Sequence, residues 1–569
     1  MDESAEPGPD TLGNLNLRAA AALVQGLVEG GARRAVLSPG SRSSPLALAA
    51  DLCPHLDTTV QPDERCAAFY ALGQARAERR PVVVIATSGT APANWFPSVI
   101  EASMDQVPLV LVSANRPEEL LRTGANQTID QERMFGSYPR DYHRLPAPHQ
   151  RETLLYRSTG RRAADSALWP RPGPVHVDVA FREPLLPDAR IGDLDWPSAL
   201  TAAPQRPRVT PDPVAVDFME RKMAGRDGVI VCGRSTYARE FAAAVTHLAN
   251  RLGCPLIADP LSGLRWGPHD RERVLTAADL FLRRHAGGPK ADWVLHFGAA
   301  PTSRAVQNWL SEQGDALIPI VESGDWPDPS RHSTLAAHGD ALSVAEALLQ
   351  RDLAGADPGW CSTWNALDRS ARALLDDGSL RPAEAGIIRA LESALPPDAF
   401  LFVGSSMPIR ALDAFALGRD DPLAAFGNRG ASGIDGSVST AAGLAHCRPT
   451  LGLIGDLALY HDMNGLLAAG GTDLKLVVIE NGGGAIFGLL PQRRHPKFER
   501  LWRTPTGLSC ARIASLYGLR HTVVESGESM SRTFALPETG QGPELVEIRV
   551  DAEESWARHQ DLWSAAAEL

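Results

Sequence analysis

Short apolar runs that end in glycine or polar turns recur along the whole chain. In the first third they are "RRAVLSPG", "PVVVIATSGT" and "VPLVLVSANRP". Runs of this length, rich in Val, Ile and Leu, are the pattern of strands buried on both faces. Their alternation with helical segments predicts a doubly wound parallel sheet. The pattern starts again with "GVIVCGRS", "CPLIAD" and "ADWVLHFGAA", and once more with "DAFLFVGSS", "PTLGLIGD", "LKLVVIEN" and "PELVEIRV". Between the first two sets, "WPSALTAAPQRPRVTPDP" (196–213) reads as a Pro- and Ala-rich linker. A weaker boundary falls near "RDLAGADPGW" (351–360). The expectation is an α/β protein with three doubly wound parallel-sheet domains, at 1–195, 206–352 and 362–569. A chain of 569 residues is in any case too long for one core.

Composition narrows the function classes. A hydrophobic content of 44% with 22% charged residues is ordinary for a globular protein. The net charge of −12 gives no electrostatic support to a nucleic-acid partner. The start, MDESAEPGPD, lacks the basic-then-apolar pattern of a signal peptide, and no apolar run reaches membrane-spanning length. Seven scattered cysteines without a CxxC favour reduced thiols, no structural zinc and a cytoplasmic location. The four lysines (Lys222, Lys290, Lys475 and Lys497) stand in no site-like motif, which disfavours Schiff-base chemistry.

The chemistry concentrates in "LIGDLALYHDMNGLLAAGGTDLKLVVIENGGGAIFGLLP", residues 453–491. Ligands of open parallel sheets sit beyond the carboxyl ends of the strands. Asp456 and Asn481 are expected there, one strand-helix-strand unit apart, and three glycines follow. Mg²⁺ takes about six oxygens, often shared with substrate phosphates. A carboxylate, an amide oxygen and a backbone carbonyl from the glycine loop, such as that of Gly483, supply half of such a shell. Separately, an Asp in this position caps a helix and Asn-Gly makes a turn; the pairing at two strand ends is what favours a metal. His461-Asp462 reads as part of the intervening helix, in a packing or surface role.

These residues resemble the cofactor motif of thiamine-diphosphate-dependent enzymes, a "GD" followed about 25 residues later by "N" and glycine. That family has a pyrimidine-binding, a central and a diphosphate-binding domain. "TTVQPDERCAAFYALG" supplies the glutamate it requires, Glu64, although an acid in a first helical turn also complements the helix dipole. "ATSGTAPAN" resembles the loop on the pyrimidine side. "SPGSRSSPLALA", "TSGTAPANWFPSVIEA", "ANRPEELLRTGANQTIDQ", "GNRGASGIDGSVSTAAG" and "NGGGAIFGLLP", in that order, are similar to the 2-succinyl-5-enolpyruvyl-6-hydroxy-3-cyclohexene-1-carboxylate synthases of menaquinone biosynthesis. The middle third matches least. Glu480 replaces a common Asn, and on a strand its side chain is expected to point away from that of Asn481. Ala458 stands where relatives often carry Ser, and Arg304-Ala305 where some carry two basic residues.

The resemblance implies thiamine diphosphate and Mg²⁺, with Mn²⁺ as the alternative ion. It implies decarboxylation of 2-oxoglutarate and addition of the remaining carbon unit to isochorismate. Cofactor contacts would come from Glu64, which holds the pyrimidine N1′, and from Thr87, Gly89, Ser405, Ser406, Ile434, Asp456, Asn481, Ile486 and Phe487. Asp456, Asn481 and Gly483 would hold the metal. Two dicarboxylates in one site need cationic partners, and Arg offers a planar fork. Arg42, Arg116, Arg410 and Arg429 lie in the matching motifs, and Arg304 in the central segment. Ser41, Gln127 and Ser406 would orient substrate, while Ile486, Phe487 and Leu490 would exclude water. In this superfamily the cofactor lies between the first domain of one chain and the third of another. A homodimer is then the minimum and a homotetramer the alternative.

Two rivals remain at this level. One is another thiamine-diphosphate 2-oxoacid decarboxylase or carboligase; pyruvate enzymes need fewer arginines than these loops carry. The other is a non-catalytic metabolite-binding relative, against which Glu64, Asp456 and Asn481 all stand intact.

Overall fold

The computed structural model describes residues 11–149, 153–188, 194, 196, 206–284, 287–322, 324, 326–333, 335–524, 527–536 and 540–569. The acidic start, position 195 and positions 197–205 of the expected linker lie outside the described residues. The chain forms two compact units. One holds the residues up to Arg206 with Asn428–Cys447 and His461–Thr472; the other holds Pro207–Gly427, Arg448–Tyr460 and Asp473–Leu569.

The first unit contains β1 (Arg34–Leu37), β2 (Asp57–Val60), β3 (Val82–Ala86), β4 (Leu109–Asn115), β5 (Asp141–Leu145) and β6 (Pro174–Ala180). They form one parallel sheet in the order β2-β1-β3-β4-β6-β5. Every residue of β3 and β4 is buried, as expected for strands covered on both faces. The direction of winding reverses between β1 and β3, so the loops after these two strands frame a crevice.

Two later segments complete this unit because their backbones come very close to it. Helix Ser437–Cys447 lies against helix Glu64–Glu78. A Cβ on Gly73 would stand 2.2 Å from the Thr440 carbonyl oxygen, and one on Gly443 2.0 Å from that of Tyr70. The loop before this helix is tied down by charge. Buried Arg76 pairs with Glu101 at 2.8 Å and Asp105 at 2.5 Å, and donates to Asn428 Oδ1 at 3.1 Å. Glu101 in turn accepts the N–H groups of Gly430 and Ala431 at 2.9 and 2.7 Å.

The second unit carries two sheets. β7 (Gly228–Cys232), β8 (Leu256–Ala258), β9 (Val274–Leu275), β10 (Trp293–Phe297), β11 (Leu317–Val321) and β12 (Ala337–His338) are ordered β12-β11-β10-β7-β8-β9. Counted from β7, this is the 3-2-1-4-5-6 order of dinucleotide-binding sheets. β13 (Phe400–Val403), β14 (Ala424–Phe426), β15 (Thr450–Gly455), β16 (Leu474–Glu480), β17 (Arg520–Val524) and β18 (Glu544–Arg549) are ordered β14-β13-β15-β16-β18-β17. This repeats the topology of the first sheet, with its crevice between β13 and β15. One apolar core serves both sheets. Trp364, on helix Pro358–Asp376, meets Trp309 and Phe281 edge-on at 5.4 and 5.8 Å. Arg265 and Asp413 form an ion pair inside this unit at 2.6 Å, both almost fully buried.

The ten apolar runs named from the sequence are all strands. One local expectation fails. The helix after Asp456 ends at His461, and Asp462 sits in the break before helix Gly465–Ala468. Asp462 is fully buried, where it accepts the N–H and Oγ–H of Ser439 at 2.7 and 3.1 Å. It thereby serves the first turn of helix Ser437–Cys447, whose N–H groups have no partner within that helix.

Candidate active site

In the first unit the expected residues gather at the carboxyl edge of the sheet. Helix Glu64–Glu78 follows β2, and Asp63 caps it by accepting the N–H groups of Arg65 and Cys66 at 3.0 and 3.1 Å. The cap therefore belongs to Asp63, and Glu64 presents a half-buried carboxyl in the first turn. The loops after β1 and β3 touch: a Cβ on Gly40 would lie 2.3 Å from that of Thr87. Ser41 beside it is exposed. Gly89 has φ +84° and donates its N–H to Gln131 Oε1 at 3.1 Å.

Arg116, after β4, donates to the Ser88 hydroxyl. Gln127 donates to the Ser88 carbonyl at 2.9 Å and accepts the Ser88 hydroxyl on its own carbonyl at 3.1 Å. Arg42 is buried, with one arm on the Phe181 carbonyl at 3.0 Å and another on Glu183 at 2.8 Å. Burial lowers the Arg116 pKa, and the charge of Arg42 adds to this. Arg429 and Ile434 lie half-buried in the loop held by Glu101, and the Ile434 carbonyl accepts the Ser437 hydroxyl at 2.8 Å.

Sequence reasoning missed the support beneath this edge. Asp178, buried on β6, accepts Ser113 Oγ at 2.7 Å, Gln131 Nε2 at 2.8 Å and Asn115 Nδ2 at 2.7 Å. Burial raises its pKa, and the three donors oppose that. The signal was present in "PVHVDVA", where His176 and Asp178 interrupt a buried strand.

In the second unit the loop after β13 carries Gly404, buried Ser405 and Ser406. Ser406 has φ +75°, a costly conformation for a side-chain-bearing residue. It precedes helix Met407–Phe415, on which exposed Arg410 donates to the Ser406 carbonyl at 2.7 Å. Asp456 follows β15 directly and accepts the Leu457 and Gly483 N–H groups, each at 2.7 Å. Burial raises its pKa, and the charge of Glu480 adds to this. Asn481 follows β16, and its buried Oδ1 accepts no hydrogen bond from the described residues. Gly483 has φ +110°, and a Cβ there would lie 2.0 Å from the Arg503 carbonyl oxygen.

Ile486 and Phe487 are half-buried on the 3₁₀ turn Ala485–Leu489, and Leu490 is exposed after it. A cavity of about 130 Å³ beside Asp456 is also lined by Glu480, Gly482, Thr506, Leu508 and Cys510. Glu480, at the end of β16, lines this cavity with Asp456, while Asn481 is not among its lining residues. Arg304 begins helix Arg304–Glu312 after β10, and it is exposed. Its helix packs on helix Ala278–Phe281, and Trp309 of the same helix meets Trp364.

Comparison with known proteins agrees with this layout. Residues 17–134 match the family described as thiamine pyrophosphate enzyme, N-terminal TPP binding domain. Residues 211–403 match the middle domain of thiamine pyrophosphate enzymes. The 2-succinyl-5-enolpyruvyl-6-hydroxy-3-cyclohexene-1-carboxylate synthase of Geobacillus kaustophilus (strain HTA426) is 41% identical, over 96% of this chain and 97% of its own. That of Dechloromonas aromatica (strain RCB) is 39% identical, over 95% and 99%. The chain belongs to this synthase family. It is a thiamine-diphosphate enzyme. The crystal structure of benzoylformate decarboxylase from Polynucleobacter necessarius shares the fold, with a TM-score of 0.69 over 94% of this chain and 99% of that one, at 17% identity.

The residues present fit the synthase family's cofactor and metal. A buried amide oxygen without a donor, on the turn that a half-buried carboxylate fastens, is a group that a hard cation satisfies. The glycines at 482 and 483 leave the approach open to a diphosphate.

Proposed function

We propose that this synthase-family chain joins 2-oxoglutarate to isochorismate with loss of CO₂, using thiamine diphosphate and Mg²⁺ or Mn²⁺. When bound, thiamine diphosphate supplies the nucleophilic carbon and the electron sink for decarboxylating a 2-oxo acid. Asp456, Asn481 and the Gly483 carbonyl hold the metal, and the backbone at Ser405-Ser406 takes the diphosphate. Glu64 holds a proton shared with the pyrimidine N1′, near Thr87 and Gly89. In the first unit Ile434 is the apolar prop for the cofactor; in the second, Ile486, Phe487 and Leu490 form the apolar wall that excludes water.

What carries the substrate assignment is the set of loops at the ends of β1, β3 and β4, where Arg116 and Gln127 both bond Ser88 and Arg42 is held by the Phe181 carbonyl and Glu183. Guanidiniums held there favour an anionic ligand. Arg410 and Arg429 add cationic forks, Ser41, Gln127 and Ser406 orient the substrates, and Arg304 is the candidate from the central segment. The family resemblance supports domains at 1–195, 206–352 and 362–569, a homodimer at minimum with a homotetramer as the alternative, and a cytoplasmic location. Among the described residues, no helix is long and apolar enough to cross a membrane.

The test is a carboligation assay in which 2-oxoglutarate and isochorismate are supplied together and the product is followed by mass spectrometry. Product from 2-oxoglutarate but not from pyruvate supports the reading. Equal use of pyruvate sinks it.

A further inference from the structure

We infer that Arg503 is a positioning residue for Asn481, and through it sets the affinity for the divalent cation; this rests on the metal reading above. Asn481 precedes two residues, Gly482 and Gly483, at φ +76° and +110°. Neither has a side chain to restrain the turn, so restraint comes from outside it. Asp456 provides one anchor, through its bond to the Gly483 N–H. Arg503 provides the opposite one. Its guanidinium donates to the Asn481 carbonyl at 3.2 Å, and its own carbonyl accepts the Gly484 N–H at 2.7 Å. With the Asn481 C=O on Arg503 and the Gly483 N–H on Asp456, the turn is held on both sides of Gly482, and the Asn481 backbone that carries the buried Oδ1 is held with it.

Arg503 is itself held. It ends the π-turn Glu499–Arg503, and Thr504 then takes φ +44°. Single π-turns recur at functional sites because they re-aim a residue. Its guanidinium lies 5.4 Å from the ring of Trp556 and 3.5 Å from Glu499. Trp556, fully buried, donates Nε1–H to the Ala485 carbonyl at 2.7 Å. The aromatic face and the carboxylate offset the charge of an arginine so near a cation site.

The test uses the full-length protein with thiamine diphosphate and measures Mn²⁺ binding by the electron paramagnetic resonance of the free ion. Arg503→Ala is expected to weaken Mn²⁺ binding about 10-fold or more, the scale seen when groups that orient metal ligands are removed. Arg503→Lys, which keeps a donor and a charge, is expected to recover most of that loss, with melting temperatures close to wild type. Asp456→Ala is the control for the site itself. Wild-type affinity in Arg503→Ala beside lost binding in Asp456→Ala overturns the role of Arg503 and leaves the site reading intact. Equal loss in the Ala and Lys variants, accompanied by a large fall in melting temperature, makes Arg503 structural and overturns the inference. Normal binding in Asp456→Ala overturns the site reading and the inference with it.

Discussion

Asp456 accepts the Gly483 N–H at 2.7 Å, which fastens the end of β15 to the glycine turn that follows β16. Two strand ends are thereby joined by a carboxylate that also borders a cavity. Beyond those bonds the carboxylate keeps lone pairs, which the proposed cation would use.

Glu64→Gln keeps the size of the side chain and loses the carboxyl group's capacity to stabilise a protonated N1′. The cofactor is expected to bind still, while exchange of its C2 proton slows by about 10²-fold or more. Exchange followed by NMR at the wild-type rate removes Glu64 from this role.

Arg410 is exposed, so little apolar contact is lost in Arg410→Ala. The variant does release the Ser406 carbonyl, which Arg410 holds at 2.7 Å. A fall of about 10²–10³ in kcat/KM is expected if a substrate carboxylate loses its partner. Arg410→Lys restores only part, because an ammonium lacks the planar fork. Steady-state kinetics with each substrate varied in turn, beside thermal melts, check this. Near-normal kinetics for the Ala variant place Arg410 outside the substrate site.

Most of the strands and the site loops were legible because both follow simple patterns. β3 and β4 are unbroken apolar runs, and Asp456 and Asn481 stand directly after such runs. β2, β9, β12 and β14 were not read, since "DTTV", "VL", "AH" and "AAF" are too short or too polar to carry a period. β11 hides behind the proline in "LIPIV", and β5 and β17 are largely polar. The contacts of Arg76, Glu101, Gln131 and Asp178 are tertiary, and no local spacing announces them. The break at Asp462 is not legible locally, because the Ser439 donors it accepts belong to a segment 23 residues away.

The Arg265–Asp413 pair is buried at 2.6 Å, and Arg265 also donates to the Ala258 and Asp413 carbonyls. Arg265→Ala strands a buried carboxylate whose pKa burial already raises. The expected cost is about 3–5 kcal/mol, read as a lower denaturation midpoint at an unchanged slope. A loss below about 1 kcal/mol, the range of exposed pairs, contradicts this reading.

Asp462 gives a pH signature. Burial pushes its carboxyl from the usual 3.8 up to about 6. The folded state therefore binds this proton more tightly than the unfolded state. The contribution is fully present below the unfolded value and is lost as pH rises through the folded one. Between about pH 4 and 6 this group should remove about 2–3 kcal/mol of stability as pH increases. Asp462→Asn should flatten that part of the profile in urea titrations. An unchanged slope assigns the titration elsewhere.

The central claim is that thiamine diphosphate is held through a cation on Asp456 and Asn481. Calorimetric titration of thiamine diphosphate into wild type and Asp456→Ala, each with and without Mg²⁺, tests it most directly. The expected result is Mg²⁺-dependent binding in wild type and none in the variant, with both proteins folded without ligand. Binding of normal affinity by Asp456→Ala in the presence of Mg²⁺ contradicts the account.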